Sequence, residues 1–513
     1  MNIVLPLPFA LPLAGAALTM LAWRWPALLR TVSVAIVAGV TAASILVAVA
    51  VSREGVVSTQ AGDWPAPLGI TLVADRLTAL MLVVSSVVLL AILIYAVGQG
   101  IVGQKQAEPS VFYPAYLALS GGVCLSFLAG DLFNLFVGFE VMLVSSYVLL
   151  TLSPNPARMH AGMTYVVVSL TSSILFLTTI ALTYAATGAV NLADLSTRTE
   201  DLPSGVRTAL ALMFLVVFGI KGAVVPLHLW LPDSYPAAIT QITAIFAALL
   251  TKTAVYALIR TQTLLFPHHE TETLMLVVAG LTMIVGLLGA LTQQDVHRIL
   301  SFTLVGHIGF LVFGLALFTV AGLTGAILYL VHHIVVQATL FLVSDIIQDE
   351  SGEITLNRLG GLVGVSAFSA ALFFVPAMSL SGMPPMSGFV AKLALLQAGF
   401  GSGRGLAYTV AAVAVLASLL TLVAMSRIWT LAFWRPRPET PEPSGEEPGD
   451  EPGLTREERY SHRLVRGVTA AMILFGLLVA VFAGPLTDWS EDAATGLLER
   501  VEYQRAVLGE DRP

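Results

Sequence analysis

Charge is scarce in this sequence. Of 513 residues only 11% are Asp, Glu, Lys or Arg, against roughly 25% in soluble domains. A water-soluble globular fold is therefore excluded. The single cysteine, Cys124, lies inside an apolar run, which excludes an intrachain disulfide and a cysteine-based metal site. The chain also lacks a dinucleotide fingerprint, a P-loop, metal-ligand spacing and the basic footprint of a nucleic-acid binder. No cofactor and no nucleic-acid partner is expected, and no metal ligand can be named. The N-terminus (MNIVLPLPFALPLAGAALTMLAWRW) has no basic region ahead of its apolar run, and positive charge arrives only at Arg24. That pattern predicts an uncleaved first span in place of a secretory signal. The formal charge of −7 identifies no partner, because much of it sits in the tail regions.

Hydrophobic residues make up 57% of the chain, in runs of 20 or more from end to end. Each run is long enough to cross a ~30 Å hydrocarbon core. Runs this long cannot be barrel strands, and lipid leaves no other way than a helix to satisfy the backbone. The expected fold is an all-α polytopic membrane protein with about 14 spans: 3–23, 28–51, 70–98, 111–129, 131–152, 160–187, 206–228, 237–262, 273–292, 297–319, 321–347, 364–400, 406–433 and 464–486. Span 364–400 is too long for one straight helix and carries SGMPPMSG in its middle, so a broken helix is expected there. Lys and Arg in or beside the connections divide thirteen to eight between alternate sides, counting the C-terminal tail. By the positive-inside rule this places both termini outside. The segment 434–463, rich in Pro, Glu and Gly, becomes a flexible cytoplasmic loop. Residues after Trp489 are expected to form a short amphipathic helix outside.

Four charged residues fall deep within spans: Glu140, Lys221, Lys252 and Lys392. A charge at the centre of a membrane helix costs roughly 2.5–3.5 kcal/mol on insertion scales, and such residues usually serve an ion path. A lysine near a span end could instead snorkel to the interface, and Glu140 could form a structural pair with a neighbouring lysine. The choice of lysine is informative, because arginine does not release its proton at useful pH and a buried lysine does. With all four ionised the interior would hold one negative and three positive charges. A proton arriving at one lysine then disfavours charge on the next, as a hopping relay requires.

His332 and His333 lie near mid-depth of the span 321–347. Adjacent helical residues point about 100° apart, so at most one should face the pathway of Lys252 or Lys392. His228 and His307 are weaker candidates, which could simply bridge helix ends with water. Pro226 frees the carbonyl of Gly222, while Pro384 and Pro385 free those of Leu380 and Ser381. Freed carbonyls are tolerated at membrane depth only in protein or beside a wet cavity. Two interrupted spans, each with a lysine within about eight residues, are expected of an inverted-repeat transporter.

At these residues the chain resembles the antiporter-like subunits shared by respiratory complex I and the Mrp-type cation/proton antiporters. The motifs are DLFNLFVGFEVMLVSSYVLL, GIKGAVVPLHLWLPDSYPAAITQITAIFAALLTK and SGMPPMSGFVAK, which together cover spans five to twelve. The phrase around Glu140 and the 14-span length are most similar to the D-type subunits of Mrp complexes. Relatives of the complex I type with a long lateral helix fit less well, because one modest span follows the 434–463 loop.

The resemblance implies two inverted five-helix repeats, spans four to eight (111–262) and nine to thirteen (263–433), with spans seven and twelve broken. Helices 1–3 (1–110) precede them, and the loop 434–463 and last span with tail (464–513) follow. It implies Glu140 paired with Lys221, Lys252 as central relay, His332 on the central axis and Lys392 as exit-side site. His228, His333, Pro226, Pro384 and Pro385 would support them. One position departs from the pattern. Many relatives place a lysine a few residues after the span-eleven histidine, where this chain has Gln337.

The implied function is proton translocation in a bacterial or archaeal cell membrane, coupled to opposite movement of Na⁺. The implied partners are other subunits of a hetero-oligomer: a larger antiporter-like subunit and small hydrophobic ones. Two alternatives stand beside it. One is a proton-pumping membrane subunit of a complex I-like or hydrogenase-like redox enzyme. The other is a passive scaffold whose buried charges only pair.

Overall fold

Helices account for nearly all of the architecture in the computed structural model, which describes residues 3–100, 109–152, 155–437 and 456–509. In chain order they are α1 (Leu7–Leu21), α2 (Pro26–Glu54), α3 (Arg76–Gly98), α4 (Pro109–Leu128), α5 (Leu132–Leu150), α6 (Pro156–Thr187), α7 (Leu192–Arg198), α8 (Ser204–Lys221), α9 (Trp230–Ser234) and α10 (Thr240–Leu264). Then follow α11 (Glu272–Thr292), α12 (Val296–Ala316), α13 (Val320–Ser351), α14 (Ala367–Ser381), α15 (Ser387–Gly401), α16 (Gly405–Ile428), α17 (Arg456–Val481), α18 (Ala483–Glu499) and α19 (Val501–Leu508). Among the described residues, 12 helices are long and apolar enough to cross a membrane, and Leu7–Leu21 and Ala367–Ser381 are shorter apolar helices. The protein is a multi-pass, predominantly helical membrane protein. Most of the 434–463 loop lies outside the described residues.

Several span limits expected from hydropathy shift for local chemical reasons. The run beginning near residue 70 starts as a strand: Thr71–Ala74 (β2) pairs antiparallel with Val57–Gln60 (β1), Val57 opposite Ala74. The helix begins only after Asp75, whose carboxylate accepts from the amide of Thr78 at 2.9 Å and caps α3. Span 206–228 ends early, at Lys221, and the chain turns through Gly222–Leu229 before α9. Span 364–400 divides into α14 and α15 around Gly382–Met386. Beyond Trp489 the amphipathic helix exists as the second half of α18, with α19 after it. It is anchored on α3 by the Trp489 indole, which donates to the carbonyl of Arg76 at 3.0 Å, and by the Arg76–Asp492 ion pair.

One local design occurs twice, 164 positions apart. Asp131 caps α5 and Asp295 caps α12, each accepting from the amide three residues on. Each following 32-residue helix, α6 and α13, closes on a left-handed glycine, Gly188 (φ 71°) or Gly352 (φ 73°). The chain then returns to bridge the capping aspartate, Asn191 with Asp131 and Thr355 with Asp295. The first bridge adjoins the hairpin, since Thr71 accepts from Gly130 N and, through its hydroxyl, from Asn191 Nδ2. The second adjoins the far end of α3, where Gln99 donates to Asp349 on the last turn of α13. The two bridges therefore sit on opposite faces of the bundle.

The middle belongs to α10 and α13. A helix apolar on every side belongs inside a bundle, and both are: every residue of α13 from Gly322 to Ile347 is buried, as is every residue of α10 from Thr240 to Leu264.

Candidate functional site

Three of the four deep charges are enclosed, with Lys221, Lys252 and Lys392 at 8%, 0% and 4% exposure, while Glu140 on α5 is half-buried. They fall into two groups. In the first, Ser173 of α6 stands between Glu140 and Lys221. Lys221 Nζ donates to Ser173 Oγ at 3.3 Å, and Ser173 Oγ in turn donates to Glu140 Oε1 in a short hydrogen bond. The expected pair is thus made through a hydroxyl and not by direct contact. The ammonium also lies 5.2 Å from the centre of the Phe139 ring, a favourable cation–π placement. A cavity of about 20 Å³ beside it is lined by Ser169, Ser172, Tyr165 and Trp230, which is room for about one water.

Lys221 is the last residue of α8, so its side chain emerges where the helix ladder stops. Two bonds fix the turn that follows: Val225 N donates to Thr282 Oγ1 at 3.1 Å, and the Trp230 indole to Ile220 O at 3.0 Å. Pro226 and His228 lie in this turn. His228 is buried, and its Nδ1 has no partner among the described residues.

The second group is centred on α13. Lys252 lies on α10 just past a π-helical stretch, Phe246–Leu250, and its ammonium donates to the carbonyl of Ala247 in a short bond. A π-turn leaves carbonyls out of the ordinary ladder, and such turns are frequent at functional sites. On α13 the neighbouring histidines point different ways. His333 lies 5.3 Å from His307 and stacks on Tyr329, with both ring nitrogens unpartnered among the described residues. His332 Nδ1 instead pairs with Ser387 Oγ at 2.9 Å, and Ser387 with Ser379 Oγ at 3.3 Å, across the break between α14 and α15.

At that break the freed carbonyls have an occupant. Lys392 Nζ donates to Leu380 O at 2.9 Å and Ser381 O at 3.3 Å, 4.9 Å from the centre of the Phe310 ring. These are the two groups that Pro384 and Pro385 leave without an intrahelical donor. Gly382 closes α14 at φ 87°, and a Cβ there would approach Lys392 Cδ at 2.9 Å, so the position requires glycine twice over.

The structure corrects one expectation and refines another. His307 does not bridge helix ends with water. It is fully buried on α12, with Nδ1 2.8 Å from Tyr329 Oη and Nε2 3.0 Å from Thr421 Oγ1. Gln337 is also fully buried, but its amide donates to Leu300 O at 2.9 Å on α12, leaving Oε1 unpartnered among the described residues. Sequence reasoning passed over Ser173, Ser387 and Tyr329. For Ser173 a signal was available, the stripe of Ser169, Ser172 and Ser173 at i, i+3 and i+4 on a mostly apolar helix. Among the described residues no three His, Cys, Asp or Glu side chains gather as a metal site.

A bundle of apolar helices, two of them broken beside buried lysines, defines a class: multi-pass membrane subunits with titratable side chains enclosed at depth. A model of the NADH:quinone oxidoreductase/Mrp antiporter transmembrane family matches residues 129–421, and the chain belongs to that family. The D-type Na(+)/H(+) antiporter subunit of Alkalihalophilus pseudofirmus is 38% identical, over 99% of this chain and 100% of that protein. The D-type antiporter subunit of Bacillus subtilis is 35% identical over the same shares. Among solved structures, the Mrp complex from Dietzia sp. DQ12-45-1b includes a chain 33% identical with a TM-score of 0.90, covering 99% of this chain and all of that one.

Proposed function

We propose that this chain is the proton-translocating subunit of a multisubunit Na⁺/H⁺ antiporter, a secondary transporter and not an enzyme. The carrying observation is the row of enclosed cations in which each lysine has a neutral oxygen partner: Ser173 for Lys221, a backbone carbonyl for Lys252, and two freed carbonyls for Lys392. Such partners hold an ammonium without neutralising it, so a proton on one lysine weakens the case for charge on the next. The relay runs Glu140–Ser173–Lys221, Lys252, then His333 and His332 to Lys392. Full-length similarity to proteins named as antiporter subunits supports this reading over a redox-driven pump.

The twofold design with its bridges on opposite faces supports two inverted five-helix repeats, spans four to eight and nine to thirteen, within about 14 spans in all. The arginine bias supports a cell-membrane orientation with both termini outside. The partners in this reading are a larger antiporter-like subunit and small hydrophobic subunits, and the counter-ion is Na⁺. The driving force is the proton-motive force, whose electrical part supplies about 2.3 kcal/mol per charge per 100 mV. Exchange is measured in inverted vesicles carrying the assembled complex. Lys252→Ala and Glu140→Ala are each expected to abolish it, and full exchange by a normally assembled variant would sink the relay.

A further inference from the structure

A carboxylate outside this relay shares its central seam. Asp345 sits on the last third of α13, 8% exposed within a helix otherwise enclosed. Two side chains from two other helices converge on one of its oxygens. Tyr95 of α3 donates to Oδ2 at 2.9 Å, and Gln241 of α10 donates to the same atom at 2.8 Å. Both donors are neutral. The charged groups nearby are otherwise engaged: Asp349, one turn on, accepts from Gln99, and Arg466 of α17 is taken by Glu350, which also accepts from Ser369. Among the described residues Asp345 has no cation within ion-pair distance. A buried carboxylate needs a partner charge or a proton, and here no partner charge is supplied.

Its position follows from the run of the helices. Gln241 precedes Lys252 by 11 residues on α10, and Asp345 follows His333 by 12 on α13. Gln241 near the start of α10 meets Asp345 near the end of α13, and α10 goes on packing against α13 through Phe246–Leu250, so the two helices are antiparallel, with Gln241 and Asp345 at one level and Lys252 and His333 toward another. At 1.5 Å per residue the levels are about 17 Å apart. Between them on α13 lies Gln337, with its buried unpartnered carbonyl. Asp345 occupies the end of the seam nearest the arginine-rich face, where Arg298 pairs with Asp233 and Arg358 with Glu353.

We infer that Asp345 connects the central relay to water at the arginine-rich face, an inference that rests on the relay reading above. Under the inward proton-motive force, protonated Lys252 or His333 yields its proton, through water passing Gln337, to the Asp345 carboxylate, which becomes the neutral acid. Asp345 then gives that proton to water at the arginine-rich face and is left a carboxylate again. Gln337 thereby acts as a way-station acceptor in a position where no titratable group stands.

The test is Na⁺-driven proton movement in inverted vesicles with the whole complex. Asp345→Asn keeps an acceptor for Tyr95 and Gln241 but cannot carry a proton away, so exchange is expected to fall at least about tenfold with assembly intact. Asp345→Glu is expected to restore most of it. Wild-type exchange by Asp345→Asn would overturn the inference and leave the relay standing, provided Lys252→Ala is dead. If Lys252→Ala also exchanges normally, the relay itself fails. Should Asp345→Asn not assemble, Tyr95→Phe decides, since it removes one donor and leaves the carboxylate. It is expected to move the pH of half-maximal exchange by about 0.5 unit, and an unmoved profile counts against Asp345.

Discussion

From Gly130 to Asn191, and again from Gln294 to Thr355, the chain runs through an aspartate cap, a pair of helices, a left-handed glycine and a return bridge. The side chains differ sharply. In the first stretch the long helix α6 buries 39% of its apolar window and presents Met163, Val167, Leu170 and Ile174 outward, whereas α13 in the second buries 100%. The half-exposed pair of helices carries a carboxylate, Glu140, and a serine, Ser173. The enclosed pair carries His307, Tyr329, His332 and His333. One scaffold thus serves two environments. At the bundle's edge an anionic site is built around a hydroxyl, whereas mid-depth at its centre imidazoles, neutral when unprotonated, are used instead, and the carboxylate of Asp345 stands only toward the end of α13. That division agrees with the cost of enclosing a charge away from water.

The largest effects should come from substitutions that strike both halves alike. Lys221→Arg and Lys392→Arg keep charge and donors but hold their protons, so each is expected to lower exchange at least about a hundredfold in vesicles. An active arginine variant in one half only would show that half to be structural. Next come substitutions that separate the histidines from Gln337. His333→Leu is expected to reduce exchange more than about tenfold. Gln337→Leu, which removes the acceptor between Asp345 and His333 along with one hydrogen bond worth about 1 kcal/mol, is expected to cost less, about fivefold. Ser173→Ala cuts the hydroxyl link of the first half and is expected to cost roughly tenfold in exchange, with subunit assembly unchanged on native gels. Gly382→Ala should lower the thermal stability of the complex by about 1–3 kcal/mol, because strain and the Lys392 contact act together. The smallest effects should be equal ones: Asp131→Ala and Asp295→Ala each remove a helix cap worth about 1 kcal/mol. A large difference between these two would break the comparison, since the caps are its shared element.

Much of this arrangement was legible in the residues. The lysines stand out because each is a costly exception in an apolar run, and the breaks because proline removes a donor at a known position. Lys392 meets the two carbonyls that such reasoning names, Leu380 and Ser381. Ser173 was harder to see, because most serines on apolar helices bond back to their own ladder, as Ser145 does to Val141. The π-helical stretch Phe246–Leu250, which packs against α13, has no glycine or proline to announce it. The strand at Thr71–Ala74 merges with the following span on hydropathy, because Ile70–Ala74 is apolar but for Thr71. Its one marker was Asp75, a helix-capping residue standing after the strand.

The burial of α13 bears on how such a protein can work at all. A helix with no outward stripe between Gly322 and Ile347 is gripped on every side. Close-packed interiors switch between discrete arrangements and do not deform smoothly. Sliding or rocking this helix would disturb every neighbour at once. Rotating an imidazole, or drawing a water past Gln337, disturbs almost none. In the proposed relay the moving parts are therefore side chains, set around an axle that stays still.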